Sequence, residues 1–119
     1  MQLLKRGKQA LKEGHGPAAK QAFSSALLNL DDVELELESP WRARRKALRG
    51  MGAACGCLGE HSEALGYMEQ VVSISEANED MNGLADAYGV TADLYTELGD
   101  YEHAALWYDK YIETMNKTL

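Results

Sequence analysis

Cys55 and Cys57 stand one residue apart, and His61 follows four residues on. Thiolates and imidazoles are the preferred ligands of zinc. The trio falls short of a metal site, because no fourth ligand follows at a recognisable spacing and the two cysteines face different sides of a helix. The simpler reading is a small core thiol at Cys55 and a partly exposed one at Cys57, with no metal. Their separation is also too short for an ordinary structural disulfide, and their scarcity fits a reducing compartment. His15, His61 and His103 each fall in or just after a glycine-containing turn, where histidine serves as a turn or capping residue. No nucleophile–base pair, phosphate-binding glycine loop or carboxylate pair stands out. No catalytic residue is assigned, no cofactor is expected, and the chain does not read as an enzyme.

Charge offers a second kind of chemistry. In the run Trp41-Arg42-Ala43-Arg44-Arg45-Lys46-Ala47-Leu48-Arg49, helical spacing puts Arg42, Arg45, Lys46 and Arg49 on one face. That face suits an acidic peptide. It also suits a solvated helix side neutralised by Glu34, Glu36 and Glu38 just upstream, and this plainer reading is preferred, since exposed pairs contribute little either way. The whole chain carries a formal charge of −7 with a pI near 4.9. A sequence-independent grip on nucleic acid or on an anionic membrane needs a positive field, so neither is expected as a partner. No secretory leader is recognisable and no apolar run approaches the ~20 residues of a membrane span, which leads to the expectation of a cytoplasmic chain. A length of 119 residues, 45% of them hydrophobic, makes one domain with material for a core.

The elements that must position these residues are helical. Leu84, Tyr88, Ala92, Tyr95 and Leu98 recur at three-and-four spacing up to Gly99-Asp100, and Tyr101, Ala104, Ala105, Tyr108, Ile112 and Met115 repeat the pattern beyond it. Gly99 suits a left-handed helix stop and Asp100 a helix cap. The same arrangement recurs at Leu58-Gly59-Glu60 and, more loosely, at Glu13-Gly14-His15. Aligning on the three glycines brings Leu3, Leu48 and Tyr88 into one column. Others join Gly7, Gly52 and Ala92; Ala10, Cys55 and Tyr95; Ala19, Ala64 and Ala104; and Phe23, Met68 and Tyr108. Small residues in these columns let two helices cross closely. Helices are expected over 2–13, 17–31, 40–58, 61–77, 81–98 and 101–117. The acidic stretch between the second and third is read as a helix end and loop rather than a lone strand, which would have nothing to pair with.

This order of large, small and aromatic residues around a glycine turn resembles the tetratricopeptide repeat (TPR). The forty-residue period and Asn82-Gly83-Leu84-Ala85-Asp86-Ala87-Tyr88 further resemble the lengthened repeats of Pins-type adaptors and kinesin light chains. The pattern departs from the family in lacking a first-helix Trp and a closing Pro, and in the turn at Gly16-Pro17. The resemblance implies an all-α, right-handed α-solenoid of three hairpins within a single domain 1–119, with repeats at 1–38, 40–79 and 80–119. It implies an adaptor that holds a peptide or helix of another protein, of mixed charge, in a concave groove lined by the first helix of each hairpin. By column, the groove candidates are Lys8 and Lys12, then Lys46 and Arg49, then Asp86, Asp93 and Glu97. The columns that hold a carboxylate in chaperone-tail-binding relatives contain Leu4 and Lys8, then Gly50, then Asp86 and Val90 here; four of the five do not fit, so that ligand is not expected. A helical array also exposes the face prepared for its next member. Trp107, Tyr108, Tyr111, Ile112 and Met115 are therefore candidates for contact with further repeats of a longer chain, with a second copy, or with a partner.

Overall fold

The computed structural model describes residues 2–33 and 40–117. Its six helices are α1 (Gln2–Lys12), α2 (Gly16–Val33), α3 (Pro40–Cys57), α4 (His61–Ala77), α5 (Met81–Glu97) and α6 (Tyr101–Lys117). They fall within two residues of the boundaries expected from periodicity, and they pair as three helical hairpins, the all-α solenoid foreseen. Glu34, Glu36 and Glu38, invoked above as neutralising the basic run, lie outside the described residues, as does the loop expected there.

Among the described residues, a single kind of bend joins the helices. Gly14, Gly59 and Gly99 have φ of 76, 77 and 79°, the left-handed region that costs a residue with a Cβ about 1–2 kcal/mol. In each case the next amide reaches back five residues to close the preceding helix: His15 N to Ala10 O at 2.8 Å, Glu60 N to Cys55 O at 2.8 Å, and Asp100 N to Tyr95 O at 2.9 Å. Between α4 and α5 the same bend is made without glycine. Glu79 takes φ 52°, and Asp80 N donates to Ser75 O at 2.8 Å. Two seventeen-residue helices and two such turns set the forty-residue period.

Packing follows the small residues. Phe23 of α2, only 1% exposed, lies between Gly7 of α1 and Gly50 of α3. A Cβ on Gly7 would come within 2.5 Å of the ring, and one on Gly50 would also overlap it, so both helices approach α2 through bare backbone. Met68 of α4 fills the corresponding space over Gly52, where an added Cβ would lie 2.7 Å from its sulfur. Around these sit two buried clusters, one joining Leu4, Ala19, Ala26, Ala47, Met51 and Ala54, the other Leu48, Cys55, Ala64, Val71, Ala87 and Leu94. Each second helix packs on its own partner, α2 and α4 also pack on the first helix of the next hairpin, and α1 touches α3 while α3 touches α5. The first helices therefore line one side of the stack, the side that carries the candidate groove residues.

Candidate protein-binding groove

Along that side, the basic face of α3 meets an acidic face of α5. Arg49 Nε and Nη2 donate to the two carboxylate oxygens of Asp86 at 3.0 and 3.4 Å, a forked pair that an ammonium could not make. One turn earlier on α3, Arg45 Nε lies 2.9 Å from Asp80 Oδ2, with only 17% of each side chain exposed. Asp80 is itself fixed from below, because its Oδ1 accepts the Gly83 amide at 3.1 Å and so caps α5. Gly83 is required there, since a Cβ would overlap the Asp80 carboxylate. Two cations of the basic run, Arg45 and Arg49, are thus answered by the cap and the first turns of α5.

Two concave spaces share Asp86. The first, of about 420 Å3, is lined by Arg42, Arg45, Lys46, Asp80, Asn82, Gly83 and Asp86. The second, of about 340 Å3, is lined by Arg49, Asp86, Gly89, Val90, Asp93, Tyr108 and Tyr111. Among the sequence-derived groove candidates, Lys46, Arg49, Asp86 and Asp93 are brought together here. Lys8 and Lys12 lie on an exposed side of α1 and line neither space. Glu97 is held elsewhere: its Oε2 lies 2.7 Å from His61 Nε2, while His61 Nδ1 faces Gly59 O at 3.1 Å, so this acid ties the end of α5 to the start of α4.

The face assigned to association divides into three. Trp107 is half-buried against Tyr88, ring centroids 5.5 Å apart, with Lys110 Nζ 4.3 Å above the Trp107 ring. Burial pushes the Tyr88 hydroxyl up, helped by Glu76 and Glu113. Tyr108 and Tyr111 turn into the groove, where the Tyr108 hydroxyl donates to Asp93 and is pushed up by that bond. Ile112 and Met115 are exposed, as are Tyr101 and Leu106, which sequence reasoning had not singled out for this role. The aromatic lining of the groove was also missed. Its signal was the column shared by Phe23, Met68 and Tyr108, whose last member, with Tyr111, the sequence reading placed on the association face instead.

The cysteines do not assemble with His61. Cys57 is exposed and Cys55 is buried, which pushes its thiol up. The group that does converge on Cys55 is Glu60 and Glu63, with ligand atoms within 4.8 Å of one another. Lys20 already bridges the two carboxylates, its Nζ lying 3.0 Å from Glu60 Oε2 and 3.7 Å from Glu63 Oε2. That bond holds Glu60 below the usual carboxylate range and Lys20 above the usual ammonium range.

Stacked helical hairpins with a charged inner strip define a helical-repeat scaffold. Residues 43–117 match the tetratricopeptide repeat family, and the chain belongs to it. It is 38% identical over 109 residues to the Arabidopsis thaliana protein FLUORESCENT IN BLUE LIGHT, chloroplastic, covering 92% of this chain and 33% of that protein. The chain thus spans about a third of the curated relative's length. It also superposes on the crystal structure of the TPR domain of Arabidopsis FLU with a TM-score of 0.84 and 34% identity, covering 98% of this chain and 93% of that one. TPR domains are non-catalytic scaffolds for protein–protein interaction, and that is the function of this domain. The expectation of a cytoplasmic chain is overturned by the chloroplastic relative. Scarce cysteines and acidic composition report on redox conditions and solubility, and neither distinguishes one reducing compartment from another.

Proposed function

We propose that this domain is an adaptor whose α3–α5 groove receives an extended peptide or a helix of mixed charge from a partner protein. One observation carries the reading: the two concave spaces are contiguous through Asp86 and present both signs of charge, Lys46 and Arg42 at one end and Asp93 at the other. A rigid stack of helices offers these groups preformed, so little ordering entropy is lost on the receptor side. Lys8 and Lys12, outside the two spaces, are proposed as further contacts on α1 for a longer ligand. Repeats at 1–38, 40–79 and 80–119 are the natural units, and the forty-residue spacing from Gly59 to Gly99 supports the narrower likeness to Pins-type adaptors and kinesin light chains. The chloroplastic relative makes a plastid protein the first partner to seek. The test is capture from chloroplast extract with quantitative mass spectrometry, comparing the wild type with Lys46→Glu/Asp86→Lys and with Leu106→Glu, an exposed change outside the groove. Loss of a partner with the first variant and retention with the second is expected; equal capture by all three defeats the reading.

A second reading, self-association, is favoured by the exposed Tyr101, Ile112 and Met115 on α6. Light scattering over a dilution series tests it. A concentration-dependent dimer abolished by Ile112→Glu supports it, and a monomer throughout removes it.

A further inference from the structure

We propose that the space between α3, α5 and α6 is a receptor for a single cationic side chain, arginine in preference to lysine, carried by the segment that the groove holds. The inference rests on the groove reading above and supplies the chemistry of one position in it. The walls hold one guanidinium and two carboxylates. Arg49 is spent on Asp86 through both of its forked contacts, while among the described residues Asp93 receives the neutral hydroxyl of Tyr108 and no cation. One negative charge is thus unanswered by the described residues, in a concavity of about 340 Å3. The remaining walls are the Tyr108 and Tyr111 rings and Val90, with Gly89 opening the space because it adds no side chain. Carboxylate and phenol faces together suit a planar, delocalised cation with several donors, which can stack on a ring while bonding the free side of Asp93. The Arg49–Asp86 pair shows the same chemistry already at work in this wall. An acidic or purely aliphatic side chain would leave Asp93 unanswered, and the acid would be repelled by it.

Gly89 provides a variant that separates binding from folding. A Cβ there would meet the Tyr111 ring at 3.4 Å, ordinary contact, so Gly89→Ala narrows the space without strain while replacing a helix-interior glycine. The experiment is a 1H–15N correlation titration of the whole 119-residue chain with Nα-acetyl-arginine methylamide, and with its citrulline and glutamate counterparts. Saturable shifts at the amides of Gly89, Val90, Asp93 and Tyr111 are expected, with half-saturation at about 1–10 mM for so small a probe. Citrulline, the neutral isostere, is expected to bind about tenfold more weakly, and glutamate not at all. Asp93→Asn should weaken arginine about tenfold, and Tyr108→Phe should keep or improve it by freeing the carboxylate. Gly89→Ala should raise Tm by roughly 2–5 °C yet weaken arginine. Equal response to arginine and citrulline, indifference to Asp93→Asn, or no saturation overturns the proposal. If arginine fails while Lys46→Glu/Asp86→Lys has lost its captured partner, this receptor falls and the groove stands; if that variant also keeps its partner, both fall.

Discussion

Phe23 and Tyr108 occupy equivalent places in the first and third hairpins, four positions after a column of small residues on the second helix, and their surroundings are opposite. Phe23 is 1% exposed, clasped between Gly7 of its own hairpin and Gly50 of the next. Tyr108 is 36% exposed, on a helix that no further described helix covers, and it bonds Asp93 at the edge of the groove. A place in a repeat therefore fixes which neighbour a side chain faces, while the following hairpin decides whether it becomes core. The same aromatic column is buried core at one end of the stack and an exposed, hydrogen-bonded phenol at the other.

Substitution at the two positions gives the largest contrast. Phe23→Ala should cost about 3–5 kcal/mol in denaturant unfolding, and Tyr108→Ala less than ~1 kcal/mol. Similar losses would mean that the third hairpin is covered in solution. Glycine replacements sharpen the point with opposite signs. Gly50→Ala drives a methyl into the Phe23 ring and should cost about 1–3 kcal/mol, whereas Gly89→Ala should stabilise by about 0.5–1 kcal/mol. The joint between the two regions is probed by Asp80→Ala, which removes the α5 cap and leaves Arg45 unanswered, for a loss of about 1–2 kcal/mol by thermal melting.

The smallest effect is one of pH. Glu60 is held below its ordinary value of 4.5 by Lys20, so its contribution is complete at neutral pH and is lost as pH falls through its depressed folded value. Lys20, raised above 10.5 by the same bond, loses its share as pH rises past its folded value. Glu60→Gln should therefore flatten the acid limb of a Tm-against-pH curve and leave the groove unaltered.

The helices and hairpin turns were legible because each depends on local chemistry: apolar spacing for the faces, glycine for the left-handed stop. The bend at Glu79 was not marked, since an acidic residue carries no signal for φ 52° and adopts it only where the packed helices impose it. Lys46, Arg49, Asp86 and Asp93 could be placed in the groove by column. Their pairings could not, because Arg45 and Asp80 are separated by most of a repeat and meet only through the stacking of α3 beside α5. Glu97 lies on the expected stripe of α5, but at the helix end, where His61 from the neighbouring hairpin claims it. The residues assigned to a single association face divided because half of a helix circumference spans three environments: packing on Tyr88, the groove, and solvent.

The pattern of neighbours in the stack has a further consequence, for how the chain reaches this state. The tertiary contacts described run between consecutive helices or between a helix and the next but one, so each pairing closes a segment no longer than about one repeat before packing is rewarded. Such low contact order places folding in the microsecond-to-millisecond range, with each hairpin able to nucleate and its neighbours adding to it in turn.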